Sequence, residues 1–550
     1  MAFEVAAVFS SNMVLQRRKN IKVFGTADDG DIIEVDFYGE KNRASTRNGK
    51  FCVVIPSKEA ADNLTMKVSA FKGNMQALLT PYARVEFKNV SVGEVWLCGG
   101  QSNMEYELMN CLGGQEAIDN DVPNVRFYYT TKMAYMDEDF YEAERKSSWQ
   151  EFGPGKSEHW SAIGYFFGKK LAKDLGVTVG LIGCNWGGTS AAAWMSREAL
   201  VENPETKTYV DEYDEGIVGK SEALQVKEYR EYQRYHAEWD KKSGELYQKN
   251  PDITWDEVQN ILGPCQYPGP KSCASEFRPA GLYKTMLQRI VPYSLKGFIY
   301  YQGESDDHRP ETYEKLFSRM IKNWREEWGD NKLPFIFMQL PAHRYKADPD
   351  KRNWAIIRQA QQDVYDSVRN TYMAVLYDRG QYNEIHPKEK KEAARRMALL
   401  AEYGVYGIIA EKNAVSPMID GVCSGLGTDS LKIIIKNAED GLKVNVENKG
   451  FEYLTFTAEE VENKLERRIT RFENGIRGVE VTIPQGYTTF EVAGSDGAFY
   501  PAEARIRGNI IELSSSYVNS IRNARYLYYN YAPVMIFSRT GLPLAPFAKI

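Results

Sequence analysis

The sequence predicts an α/β protein built on a parallel sheet with helices on both faces, with a β-rich domain before it and another after it. Three observations lead there. Residues 1 to about 90 carry short alternating strands and turn signals without a helical period. From about 91 to 410, apolar strand-like runs alternate with amphipathic helical stretches, the pattern of a three-layer α/β/α unit. From about 411 to 550 the chain returns to short β-like segments. A chain of 550 residues is also too long for one simple core, so several domains are expected.

In the 1–90 segment, Ile21–Gly25 and Ile32–Tyr38 read as strands joined by the turn Asp28-Asp29-Gly30-Asp31, and Asn48-Gly49 turns into Phe51–Ile55. This resembles a small β-sandwich. In the 91–410 segment, Val95–Cys98 is an apolar strand. Trp160–Leu175 has helical spacing and stops at Gly176, and Val177–Gly183 follows as a buried strand. Tyr313, Leu316, Phe317, Met320, Ile321, Trp324 and Trp328 place one apolar face on a helix over 312–328, closed by Gly329. Gly297–Tyr301, Pro334–Leu340 and Tyr372–Tyr377 are further strands, and the last leads to a helix expected to open at Pro387. Residues 198–275 interrupt the scheme with a charged, tyrosine-rich, mostly helical insertion, either a roof over the site or a solvated excursion. In the 411–550 segment, Leu431–Ile435, Leu442–Val446, Val479–Ile483 and Ile510–Leu513 are the strand candidates.

Composition narrows the function. With 69 basic and 75 acidic residues, a net charge of −6 gives no reason to expect nucleic acid or an anionic membrane as partner. The histidines, His159, His236, His308, His343 and His386, form no His-x-x-x-His pair. The seven cysteines show no Cys-x-x-Cys spacing, so neither a metal nor a cofactor is expected. An odd number of scattered cysteines fits reduced thiols, and the start Met1-Ala2-Phe3-Glu4-Val5 has no basic region ahead of an apolar run; both lead to a cytoplasmic expectation. The 13% aromatic content suits sugar-binding surfaces as well as cores.

In an open parallel sheet, ligands gather at the carboxyl ends of the strands. Four strand ends carry unusual residues: Gly100-Gln101-Ser102-Asn103, Asn185-Trp186-Gly187-Gly188-Thr189-Ser190, Tyr301-Gln302-Gly303-Glu304-Ser305-Asp306, and Asp378-Arg379-Gly380 leading to Asn383-Glu384-Ile385-His386-Pro387. A serine just past a strand and glycines has an exposed hydroxyl on a rigid turn, which suits a nucleophile; it can equally cap the helix that follows. Together the blocks place a hydroxyl, glycine backbone, a carboxamide, carboxylates and an imidazole on one sheet edge, a complete acyl-transfer set.

These blocks, in this order, resemble the sialate O-acetylesterase family of the SGNH/GDSL hydrolase superfamily. Asn12-Met13-Val14-Leu15-Gln16, Arg278-Pro279-Ala280-Gly281-Leu282-Tyr283 and Gly541-Leu542-Pro543 extend the likeness over nearly the whole chain. The resemblance implies an SGNH-type scaffold and a serine esterase that removes O-acetyl groups from sialic acid or from xylan or mannan oligosaccharides, with an acetylated sugar as substrate. It makes Ser102 the nucleophile and His386 the base. The oxyanion would sit among the Ser102 N–H, the N–H near Gly188 (or Gly187) and the Gln302 side chain, which stands where the superfamily has asparagine. Many superfamily members carry an aspartate three residues before the histidine; here Asn383 stands there. The group orienting His386 is then Glu304 first, Glu384 second, Asp378 third, or a backbone carbonyl. Trp186, Arg278 and His308 are candidate sugar contacts. The competing readings are a glycosidase using Glu304 with a second carboxylate and a non-catalytic glycan-binding protein with a decayed site.

Overall fold

The computed structural model describes residues 3–548 apart from 74–79, 251–252, 254, 346–348, 423–428, 448, 452–453 and 472–476. Its central sheet has six parallel strands: β1 (Ala83–Gly100), β2 (Val125–Tyr129), β3 (Val179–Asn185), β4 (Gly297–Tyr301), β5 (Phe335–Gln339) and β6 (Thr371–Val375). Their order across the sheet is β2-β3-β1-β4-β5-β6, with Gln150–Glu151 added antiparallel beyond β2. Every residue of β3, β4 and β5 is buried, as expected of strands covered on both faces.

The main helices are α1 (Ala162–Leu175), α2 (Pro204–Ile217), α3 (Glu222–Lys249), α4 (Tyr313–Trp328), α5 (Asn353–Ser367) and α6 (Lys391–Gly404). Successive β1 residues show how the layers divide, because neighbouring side chains on a strand point to opposite faces. Cys98 faces α1, where its sulfur would lie 3.2 Å from a Cβ on Gly164. A Cβ on Gly99 would instead strike the Trp324 ring of α4 at 2.7 Å. The α1 start is fixed by Ser161, whose hydroxyl accepts the Gly164 N–H, and its end by Gly176 at φ +63. The apolar face of α4 packs Trp324 against Phe298 and Tyr300 of β4. The last helix departs from expectation. α6 starts at Lys391, four residues beyond Pro387. Glu389 accepts the Glu392 N–H at 2.8 Å, and Lys390 is drawn inward to Asn103, so 387–390 serve the site instead of the first turn.

The N-terminal strands form two facing sheets. One pairs Glu4–Val5, Ile21–Thr26 and Lys50–Ile55. The other pairs Ile32–Phe37 with Glu40–Ser45 and with Ala61–Phe71, which runs antiparallel to the first half of β1. Residues 90 and 91, where the sequence pattern changes, thus lie inside one 18-residue strand whose first half belongs to the β-sandwich and whose second half centres the α/β sheet. One buried apolar core runs through both. The C-terminal segment contains a six-stranded antiparallel sheet with its own core, joined to the rest at Ala342 and Tyr377. No helix among the described residues is long and apolar enough to cross a membrane.

β1 ends at a close approach. Gly100 has φ +133, and a Cβ there would sit 2.1 Å from the Tyr301 carbonyl oxygen. Only glycine lets β1 and β4 finish side by side in this way. Gly100→Ala is therefore expected to cost about 2–4 kcal/mol, read as a lower urea midpoint for the transition that unfolds the α/β core; an unchanged midpoint would contradict the close approach.

Candidate active site

Ser102 opens a four-residue helix, Ser102–Glu105, at the carboxyl end of β1. The cap position belongs to Gln101, and no side chain caps this helix, so Ser102 is not the capping residue that its type allows. Its Oγ lies 2.8 Å from Nε2 of His386, which arrives on the loop before α6. Ser102 and His386 are each half-buried. Two residues 284 positions apart thus meet at one sheet edge.

Asn103 explains how the histidine loop is held. Its side-chain Nδ2 donates to Glu304 Oε1 at 2.7 Å and to the Ile385 carbonyl at 3.0 Å, and its Oδ1 accepts from Lys390 Nζ at 2.5 Å. One buried carboxamide therefore ties the β1, β4 and α6 ends together. Gln101 adds a second tie: its Oε1 accepts the Ser305 N–H at 3.1 Å. The sequence places Asn103 and Gln101 in the serine motif without assigning either a role. Their signal is a polar side chain on each side of Ser102, both of them buried.

The structure moves three expected residues. Glu304 does not reach the His386 ring. Its carboxyl faces Asn103, and its other oxygen is buried without a hydrogen-bond partner. Burial pushes Glu304 up to about 7, against the pull of Asn103 and Lys390. Glu384 is exposed and accepts the His386 backbone N–H at 2.7 Å, so its hydrogen bond secures the main chain and not the ring. Asp378 is taken by Arg396 through two contacts of 2.7 Å and by Arg379. Among the described residues no hydrogen bond is made to His386 Nδ1; its ring lies 6.4 Å from that of Tyr106, over which Lys390 sits at 4.6 Å.

Gln302 is a fourth correction. Its amide donates to Asp306 at 2.6 Å and to the Thr189 carbonyl at 3.2 Å, and its oxygen accepts from Tyr313. Both amide protons are used behind the glycine loop, so none faces the serine. Asp306, which sequence reasoning passed over, also receives the Ala191 N–H and the hydroxyls of Ser190 and Tyr209. Gln302 and Asp306 together brace 187–191. That loop abuts Ser102: a Cβ on Gly187 would lie 3.2 Å from Ser102 Cβ. The Gly187 N–H is bonded to Glu105 at 2.6 Å. The N–H groups of Ser102 and Gly188 have no hydrogen-bond acceptor among the described residues and remain available to an oxyanion.

Of the expected sugar contacts, Trp186 lies at the site: its N–H bonds the Gly100 carbonyl, and Lys132, paired with Glu105, sits 5.2 Å over its ring. Arg278 turns to the Ala134 carbonyl, and exposed His308 stands 6.4 Å from Tyr209. No hydrogen bond joins either one to Ser102 or His386. Among the described residues no cluster of His, Cys, Asp and Glu could hold a metal ion. The arrangement suits acyl transfer: a hydroxyl beside an imidazole, next to a glycine loop with an unbonded backbone N–H.

Comparisons with known proteins point the same way. The family described as carbohydrate esterase, sialic acid-specific acetylesterase, matches residues 264–397. Sialate O-acetylesterase of Mus musculus is 27% identical over 364 residues, covering 62% of this chain and 60% of that protein. The Homo sapiens sialate O-acetylesterase is 26% identical over 349 residues, covering 59% and 55%. The chain thus spans less than two thirds of these relatives' length. A solved carbohydrate acetylesterase from Xanthomonas citri superposes with a TM-score of 0.69 at 22% identity, covering 100% of this chain and 99% of that one, so the two share a fold.

Burial and the neighbouring Lys390 ammonium hold the His386 imidazole below the ordinary 6.5, with Glu384 and Glu105 pulling upward. Burial in turn brings Lys390 down to about 8. Proton NMR titration is expected to place His386 below 6.5 in the native protein and to move it upward in Lys390→Met, because removing a positive charge favours the imidazolium. A native value above 6.5, or a downward shift in the variant, would contradict this electrostatic arrangement.

Proposed function

We propose that the protein is a serine esterase that hydrolyses O-acetyl esters of carbohydrates through an acetyl-enzyme, on an SGNH-type scaffold. The observation that carries this reading is the 2.8 Å contact between Ser102 Oγ and His386 Nε2, beside a glycine loop with a free N–H. The likeness to sialate O-acetylesterases and to a carbohydrate acetylesterase supports the substrate class.

The chemistry follows from the positions. Ser102 Oγ bonds to the acetyl carbon as its proton passes to His386 Nε2. The carbonyl oxygen gains negative charge, which the Ser102 and Gly188 N–H groups receive; one such donor is worth about a hundredfold or more in turnover. The bond from the acetyl carbon to the sugar oxygen breaks, and His386 returns its proton to that oxygen. Water then attacks the acetyl-enzyme with His386 as base, acetate leaves, and the serine hydroxyl is restored. The neutral imidazole is the working base, and burial with the Lys390 charge, which lower the His386 pKa, favour that form. The pair works as a dyad, with its loop fixed by Asn103 through Ile385 and by Glu384 through the His386 N–H. The two-carboxylate alternative loses its main residue, because Glu304 is buried and committed to Asn103.

Acetate release from acetylated sialic acids, xylo-oligosaccharides and manno-oligosaccharides tests the reading. Ser102→Ala and His386→Ala are each expected to lower turnover by about a thousandfold or more, and the double variant to be scarcely worse than either single one, because the two groups act as a unit. Turnover within tenfold of native in Ser102→Ala would refute it.

A further inference from the structure

The site continues outward along the inserted segment as a row of aromatic rings. A Cβ on Gly188, in the loop beside Ser102, would touch the Phe277 ring at 3.2 Å and lie 4.0 Å from the Tyr267 hydroxyl. From Phe277 the ring centroids step to Tyr267 at 6.1 Å, to His236 at 6.2 Å, to Tyr232 at 5.5 Å and from Tyr232 to Tyr235 at 6.3 Å. Tyr232, Tyr235 and His236 stand at positions i, i+3 and i+4 of α3 and so share a face. Tyr267 is 57% exposed, and the three α3 rings are half-buried, each with surface left to solvent. The row is also held still. The Tyr235 hydroxyl donates to the Pro264 carbonyl and accepts the Gln266 N–H, and Tyr232 packs against Gly269. The segment is anchored to the catalytic loops through Tyr209, which donates to Asp306.

We infer that this row is a glycan-binding track and that the substrate is a neutral acetylated oligosaccharide several sugars long, not a single sugar; the inference rests on the esterase reading above. Aromatic faces accept the C–H faces of pyranose rings, while tyrosine hydroxyls and the histidine supply polar edges for sugar hydroxyls. Rings fixed before binding lose little conformational freedom on contact, so they hold a chain at low entropic cost. The carboxylates beside these rings favour a neutral ligand. Asp240 pairs with His236, and Glu276 accepts from Tyr229, whose ring lies tilted 5.7 Å from that of Tyr232. An acidic sugar would meet carboxylates there, and Arg278 is turned away to the Ala134 carbonyl. The acetyl-bearing sugar would lie over Ser102 and Gly188, and its neighbours along Tyr267 and the α3 face.

The test is chain-length dependence. Acetylated xylose and mannose and their oligomers of two, three and four sugars are supplied to the native protein, Tyr267→Ala, Tyr232→Ala and Tyr267→Phe. The native kcat/KM should climb from monomer to tetramer in the better of the two series. The tetramer-to-monomer ratio should fall by about tenfold, the worth of one ring contact, in the two alanine variants and survive in Tyr267→Phe, which keeps the ring. Because the readout is a ratio within each variant, a general loss of folded protein cancels. A native ratio near one, a ratio unmoved in both alanine variants, or hydrolysis confined to acetylated sialic acid would overturn the track. Absence of Ser102-dependent acetate release from every ester would instead sink the esterase reading itself.

Discussion

The structure of the site depends on one carboxamide. Asn103 stands directly after Ser102, and its short side chain reaches Glu304 from the β4 end, the Ile385 carbonyl of the histidine loop and Lys390 at the α6 start. Its dipole lies between a carboxyl on the amide side and an ammonium on the carbonyl side, the orientation in which both contacts are favourable. A buried polar network of this kind is stable only when its members are satisfied together, and it then specifies a single geometry. Here that geometry places the His386 ring on the Ser102 hydroxyl.

The cost of the network shows in its titrating groups. Glu304 and Lys390 are both buried, and burial outweighs the opposing contacts, leaving the carboxyl up at about 7 and the amine down at about 8. Each is partly restored by the other across Asn103. The Lys390 charge next to His386 adds to burial in disfavouring the imidazolium. The opposite wall is braced by a separate acid, Asp306, which gathers Gln302, Ser190, Ala191 and Tyr209 around the glycine loop. The two walls meet at Gly100, where only a residue without a Cβ fits beside Tyr301.

Much of this was legible in the sequence because it rests on periodicity. The strand–helix alternation, the apolar face of α4 with its stop at Gly329, and the gathering of four strand-end blocks are all patterns that spacing reveals. Side-chain direction past a strand end is not. Gln302 and Glu304 sit in the expected block, yet Gln302 points behind the glycine loop and Glu304 points at Asn103, because Gly303 at φ +146 re-aims the chain between them. Asp378 carries a free-looking carboxylate in sequence, but Arg396, one turn into α6 and distant in the chain, claims it. Pro387 reads as a helix start, yet Lys390 is needed at Asn103 and the helix begins after it. For Glu304 and Lys390 the deciding partner, Asn103, is more than two hundred residues away in the chain, beyond what a local pattern records.

The account stands on the serine hydroxyl being activated by the imidazole brought to it. The most direct measurement is covalent labelling with diisopropyl fluorophosphate, followed by peptide mass mapping and by the rate of labelling in His386→Ala. The account predicts one adduct per chain, on Ser102, and a rate lower by about two orders of magnitude or more when the base is removed. An adduct on another residue, or labelling of Ser102 at the native rate without His386, would contradict it.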